Sequence, residues 1–268
     1  SRLRELVWRW GQWRSKNFVT DASGILVAGN TLDMIQGYLY WFGVWEPNLT
    51  HFITRRMDEA PDRAFVDVGA NIGYFSTLVG KRYPRANVVS IEPFPLIVEK
   101  LRSNVKRNAL KNVRIVTAAA SDTQGTLELF YAGSHNEGKT TSLRGKFNSV
   151  ALAVPCKPLA ELLTHGELAS TRLIKIDVED AESRVIKGLV PKLAVLPKDV
   201  EVVIEISADS PGDSSFIFDT FMAHGFHAYE LENSYDPLSY LYPHAPSKPR
   251  RLRSIPLRKV CITRPPAS

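Results

Sequence analysis

Cysteine is scarce in this chain and long apolar runs are missing. Cys156 and Cys261 are the only two cysteines in 268 residues, and neither stands in a CxxC or Cys/His spacing. Nothing therefore suggests a cysteine-built zinc site. Both thiols sit inside apolar runs and read as buried and reduced, which fits a reducing compartment. No run approaches the ~18–20 apolar residues needed to span a bilayer. The first residues, Ser1-Arg2-Leu3-Arg4-Glu5, lack the continuous apolar core of a signal peptide, so the expected location is cytoplasmic. Low-complexity tracts, internal repeats and long linkers are also absent. Acid is nearly missing from both ends: residues 1–16 carry Glu5 alone against five basic residues, and residues 248–268 carry seven basic residues and no acid. The formal charge of +6 therefore leaves a net acidic middle. Basic ends on such a body argue against a nucleic-acid groove through the core, and they permit contact with an anionic surface or substrate.

What is present is ordinary for a globular protein. The hydrophobic fraction of 44% and the charged fraction of 23% supply one domain with decorations, or at most two small ones. Leu3, Leu6, Val7, Trp10 and Trp13 recur at helical spacing and predict an amphipathic helix. Its residues either pack on the domain or lie in a membrane interface beside the basic side chains, and packing is the favoured reading. Phe18 to Gly29 reads as a hairpin turning at Asp21-Ala22-Ser23-Gly24. An aromatic segment, Tyr38 to Trp45, follows, and then a helix opening on Glu46-Pro47. From Ala64 onward short β-branched runs alternate with helical patterns. Strands are expected at 64–68, 87–91, 113–118, 126–131, 173–178, 200–206, 228–231 and 258–263. This alternation predicts an α/β, Rossmann-like fold with a mostly parallel sheet covered by helices on both faces. The expected division is an N-terminal extension over 1–60 and a cofactor-binding domain over 61–268.

The most informative stretch is Phe65-Val66-Asp67-Val68-Gly69-Ala70-Asn71-Ile72-Gly73-Tyr74-Phe75-Ser76. A strand ends at Val68, and a glycine-bearing loop then opens a helix. Gly69 and Gly73 permit a tight turn and close approach of backbone to a ligand. The place is the carboxyl end of a strand in a doubly wound sheet, where such folds bind ligands. Amides at the start of the helix can receive a carboxylate. Asp67 can meet an ammonium, directly or through water. Glu92 follows Asp67 by 25 residues, at the end of the next strand, where a carboxylate accepts both hydroxyls of a ribose. After the third strand, Ala118-Ala119-Ala120-Ser121-Asp122 leaves room for a flat base, whose amine Ser121 or Asp122 can bond. A nucleoside that bears an amino acid, S-adenosylmethionine, satisfies all three positions. A dinucleotide is disfavoured because Asn71 stands where the second glycine of G-x-G-x-x-G would admit the pyrophosphate.

These residues resemble a known family. Asp67 to Phe75 resembles the first motif of the FkbM-type methyltransferases, and Glu92-Pro93 resembles their second. Lys175-Ile176-Asp177-Val178-Glu179-Asp180-Ala181-Glu182 resembles their K-I-D-V-E-G-A-E segment. Ile204-Glu205-Ile206 fits the next strand, and Trp45-Glu46-Pro47 fits the upstream aromatic-Glu-Pro element. The resemblance implies an S-adenosylmethionine-dependent methyltransferase acting on a hydroxyl of a sugar, glycolipid or polyketide-like natural product. It implies cofactor contacts from Glu46, Asp67, Gly69, Ala70, Asn71, Gly73, Tyr74, Phe75, Glu92, Pro93, Ala120, Ser121 and Asp177. Asp180 departs from the family's usual glycine and adds a carboxylate near the pocket. A nicotinamide-dependent oxidoreductase and a non-catalytic binding module are the alternatives.

Methyl transfer from a sulfonium is an in-line displacement, and a hydroxyl nucleophile must also lose its proton. Asp177, Glu179 and Glu205 are the candidate catalytic carboxylates. Together with Asp180, such a cluster acts as base, as substrate clamp or as an oxygen-ligand site for a divalent cation. Lys175 reads as a strand residue paired to a carboxylate. Trp41, His135, Asp180 and Tyr240 are the candidate acceptor contacts. Trp41 and Tyr240 offer aromatic faces, His135 lies in a polar loop, and a packing role for the aromatics is the competing reading. The expected partner is a small-molecule or glycan acceptor.

Overall fold

A computed structural model describes residues 16–131, 140–141, 151–178, 181–206, 211–241, 249–252 and 260–263. The expected N-terminal helix, His135, Glu179 and Asp180 lie outside the described residues. The described residues begin with a hairpin of β1 (Asn17–Ala22) and β2 (Ile25–Asn30). It turns at Ser23 and Gly24, both in the left-handed region at φ 55° and 84°. Helix α1 (Met34–Phe42) starts at an Asp33 cap, whose carboxylate accepts the amide of Gln36, and stops at Gly43 in the left-handed region. Helix α2 (Pro47–Asp58) carries Pro47 in its first turn, where the missing amide costs nothing.

Alternation then takes over. The elements are β3 (Ala64–Val68), α3 (Tyr74–Arg82), β4 (Val88–Ile91), α4 (Pro95–Arg107) and β5 (Val113–Val116). Next come β6 (Ala119–Ser121), β7 (Gly125–Tyr131), β8 (Thr140–Thr141) and β9 (Ala151–Pro158). Short helices α5 (Leu159–Leu162) and α6 (His165–Ser170) lead to β10 (Thr171–Ile176) and α7 (Glu182–Leu189). The chain closes with β11 (Glu201–Ile204), α8 (Pro211–Ala223), β12 (His227–Glu230), α9 (Pro237–Leu241), β13 (Arg250–Arg251) and β14 (Val260–Thr263).

Eight strands form the main sheet in the order β13-β12-β14-β11-β10-β3-β4-β5. The pairs from β11 to β5 are parallel, and β14 runs antiparallel to both β11 and β12. Strand order reverses between β3 and β10, the kind of switch point at whose carboxyl ends such folds bind ligands. Strand alternation sends Val66, Val68, Ile174 and Ile176 to one face, where they pack with Val185, Ile186 and Phe221 of α7 and α8. Phe65 and Leu173 belong to a second cluster with Leu78 and Val79 of α3 and with Ile25, Leu39, Leu49 and Ile53 from the hairpin, α1 and α2. The hairpin and first two helices thus share a core with the sheet.

A second sheet, β6-β9-β7-β8, lies outside the sequence reading. The 126–131 run is expected and pairs antiparallel with β9, whose apolar run is interrupted by Pro155 and is not among the expected strands. Cys156 of β9 is buried and free, as its apolar run predicts. Among the described residues, no helix is long and apolar enough to cross a membrane.

Candidate active site

The site grows from a polar row across three strands. Lys175 of β10, Asp67 of β3 and Ser90 of β4 are register partners, so their side chains share a face. Asp67 is wholly buried. Its Oδ2 accepts the hydroxyl of Ser76 at 2.7 Å, and the Ser90 hydroxyl donates to Ser76 at 2.7 Å. Lys175 lies 3.4 Å from both Asp67 and Asp177 and donates to the Gly69 carbonyl at 3.1 Å. Its ammonium also stands 5.5 Å from the centre of the Phe75 ring. The Asp67 carboxylate lies beneath the loop between Ser76 and Lys175. Lys175 is paired to a carboxylate as expected, and in fact to two.

The loop above this row is held by backbone. Gly69 has φ +74°, and a Cβ there would sit 1.9 Å from the Asp177 carbonyl oxygen. Only glycine fits, because β3 and β10 hand their ends to the same point. The amides of Gly69 and Ala70 donate to Ile91, and that of Asp177 donates to Val68. Asn71 adopts φ 52°, a conformation asparagine tolerates, and its side chain accepts the amide of Ile72 at 2.7 Å. Gly73, at φ +83°, leaves no room for a Cβ beside Leu101 and starts α3 without a side-chain cap.

Glu92 closes the loop from the next strand. One oxygen accepts the amide of Asn71 and the other that of Phe94, both at 3.0 Å. Burial pushes its carboxyl up from 4.5 to about 7, against the pull of those two amides and of Lys175. Pro93 is half-buried beside it. Ala120 and Ser121 are buried in β6, and the Ser121 hydroxyl donates to Asp122, which Arg184 also contacts. Asp177 keeps a side chain 26% exposed at the end of β10. Glu205 follows β11, and its amide donates to Ile176.

Glu46 arrives from the N-terminal segment. It is fully buried at φ 45° ahead of α2. Its carboxylate accepts from the Tyr235 hydroxyl and from Asn233 at 2.9 Å. Tyr235 also reaches Glu205 at 3.4 Å. Around them Tyr38, Phe42, Trp45, Tyr235 and Tyr240 stack into one aromatic cluster. Tyr240 is buried, and its hydroxyl accepts the Glu46 amide, so it builds the wall of this cluster. Trp41 does not join it. The helical spacing of α1 puts Tyr38 and Phe42 on one face, while Trp41 is 49% exposed and meets Tyr40. Tyr74 is likewise buried and tethered to Ser23 and Thr50. Its hydroxyl ties α3 to the N-terminal elements. Among the described residues, no group of three His, Cys, Asp or Glu side chains is placed to hold a metal ion.

Residues 67–231 match the family model described as the methyltransferase FkbM domain. The chain belongs to the FkbM methyltransferase family. Its 67–231 stretch is a methyltransferase FkbM domain. It is similar to methyltransferase sdnD of Sordaria araneosa, 31% identical over 153 residues, which cover 46% of this chain and 59% of that protein. The match thus spans less than two thirds of that relative's length. The 31-O-demethyl-FK506 methyltransferase FkbM of Streptomyces tacrolimicus is 27% identical over 203 residues, covering 65% of this chain and 76% of its own. The 2-O-methyltransferase NoeI of Sinorhizobium fredii is 26% identical over 144 residues, covering 48% and 58%.

Asn233, which donates to Glu46, belongs to no sequence motif. Tyr235, with Tyr240 and Tyr242, is one of the aromatics before the final strand whose faces suit an acceptor ring, and that signal does not single it out from the other two.

Proposed function

We propose that the protein transfers the methyl group of S-adenosylmethionine to a hydroxyl of a small natural product or glycan. One observation carries the reading. The Gly69–Gly73 loop, clasped by Glu92, lies against the backbone of Asp177 where strand order reverses. When bound, the cofactor supplies an activated methyl group, so the protein's work is alignment, exclusion of water and handling of the acceptor's proton. The residues fit that cofactor. Each Glu92 oxygen accepts one backbone amide and keeps a second lone pair for a ribose hydroxyl. The first amides of α3 have no partner within the helix and suit a carboxylate. Ala120 and Ser121 offer a flat, small-residue wall to the base. A dinucleotide fits less well, because the amides of Asn71 and Ile72 already donate to Glu92 and to the Asn71 side chain.

On the acceptor side, Asp177 and Glu205 stand at the ends of adjacent strands as proton acceptor and hydroxyl clamp. Glu179, Asp180 and His135 join the proposal on sequence grounds alone. O-methylation is supported by the names of the FK506 and NoeI relatives. The same reading takes 61–268 as the catalytic domain and 1–60 as an extension that supplies Glu46. Calorimetry with S-adenosylhomocysteine, followed by methyl transfer to hydroxyl-bearing acceptors, tests it. Asp177→Asn should leave cofactor affinity within about threefold and cut turnover by about a hundredfold or more, the scale of one general base. Full turnover in that variant removes Asp177 from the chemistry, and a wild-type protein that ignores S-adenosylhomocysteine overturns the function.

A further inference from the structure

The N-terminal hairpin lies outside the stretch that matches the family model, yet it is tied to the Gly69–Gly73 loop. Strand β2 pairs with β1 along one edge. Its other edge is covered by two asparagines one helical turn apart, Asn104 on α4 and Asn108 just after it. The Asn108 side chain accepts the amide of Leu26 at 2.9 Å and donates to the carbonyl of the same residue at 2.8 Å, as a neighbouring strand would. Asn104 accepts the amide of Ala28 at 2.9 Å but sends its donor elsewhere, to the carbonyl of Ile72 at 3.0 Å. It is 1% exposed. The Ala28 amide can only donate and the Ile72 carbonyl can only accept, so the side-chain amide has one orientation, and an aspartate would lose the donor.

The bond to Ile72 falls where the loop becomes a helix. The Ile72–Gly73 peptide carries the carbonyl that Asn104 holds and the Gly73 amide, which donates to Ala70. Glycine accepts φ of either sign, so an unheld peptide here rotates at little cost and changes the angle at which the chain enters α3. The same point is gripped on two more sides. Leu101, one turn before Asn104, occupies the space that a Cβ on Gly73 would need. The hydroxyl of Tyr74, the first residue of α3, lies 3.0 Å from that of Ser23 in the hairpin turn. We propose that Asn104 is a positioning residue for the cofactor: held by the hairpin through Ala28, it fixes the Ile72–Gly73 peptide so that α3 presents its first amides to the cofactor's carboxylate. The inference rests on the cofactor reading above.

Calorimetry with S-adenosylhomocysteine and with methylthioadenosine, which keeps the nucleoside and lacks the amino acid, provides the test. Asn104→Ala should weaken S-adenosylhomocysteine by about tenfold, the upper range for one hydrogen bond, and leave methylthioadenosine within about twofold. Asn108→Ala is the control, because its hydrogen bonds go to Leu26, Asn104 and Lys81 and not to the loop. It should lower the melting temperature and leave both affinities unchanged. Unchanged binding of S-adenosylhomocysteine by Asn104→Ala, an equal loss of both ligands, or the same loss in Asn108→Ala overturns the inference. Should Asn104→Ala fail to fold, Asn104→Asp is read in the same way, since it keeps the acceptor for Ala28 and loses the donor for Ile72. If the wild-type protein binds neither compound, the cofactor reading fails instead.

Discussion

Glu92 holds two opposed tendencies in one side chain. Burial favours its neutral form, while the amides of Asn71 and Phe94 favour the anion, and the balance falls near pH 7. The folded-state value lies above the ordinary 4.5, so the folded protein holds the extra proton between the two. That stabilisation is complete below about 4.5 and is lost as the pH rises through about 7. Glu92→Gln should therefore flatten the dependence of melting temperature on pH across this window, and an unaltered slope would show that Glu92 does not titrate there. Glu92→Ala should weaken S-adenosylhomocysteine by about tenfold or more by calorimetry, the cost of a hydrogen bond to a charged group. Undiminished affinity in the folded variant removes the ribose role. At this scale Gly69, Gly73 and Glu92 were legible in sequence, because a left-handed loop and a strand-end carboxylate have few residue types to choose from. The directions in which Asp67, Tyr74 and Trp41 point were not, because exposure depends on what packs above each side chain.

At the scale of elements, the second sheet is the clearest departure from the sequence reading. Strand β9 contains Pro155 and ends on Pro158, and proline demotes a run from strand to edge or loop in any local reading. Its pairing with β7 and β6 is long-range and leaves no periodic trace. The sheet is nevertheless fixed tightly to the domain. A Cβ on Gly188 of α7 would meet the Ser121 carbonyl oxygen at 1.9 Å, so helix and strand touch through the missing side chain. Gly188→Ala should destabilise the protein by about 1–3 kcal/mol in chemical denaturation, the usual cost of overpacking a tight contact. Stability at or above wild type would show that α7 can move off β6. The main strands behave differently. Strands β3, β4, β10 and β11 are buried along their whole length, and such strands write continuous β-branched runs that a sequence reading finds directly.

For the whole molecule, a ligand that binds only the folded state raises stability by mass action, about 2.7 kcal/mol at a hundred times its dissociation constant. At roughly 2–4 °C per kcal/mol for a chain of this size, saturating S-adenosylhomocysteine should raise the melting temperature by about 5–10 °C. NAD at equal concentration should leave it unchanged, and the reverse pattern would favour an oxidoreductase. The sequence by itself determined the alternating architecture, the glycine loop, the strand-end Glu92 and the family. These are local signals, written by burial on two faces and by backbone conformations that few residues accept. Only the tertiary structure decided which polar groups meet. It buried Asp67 between Ser76 and Lys175. It turned Trp41 outward. It also brought Glu46 to Tyr235 across 189 positions of chain. That last contact requires the N-terminal segment and the loop after β12 to meet beside the end of β11, inside the sheet, which the packing of layers on a twisted parallel core specifies and no short window of residues records.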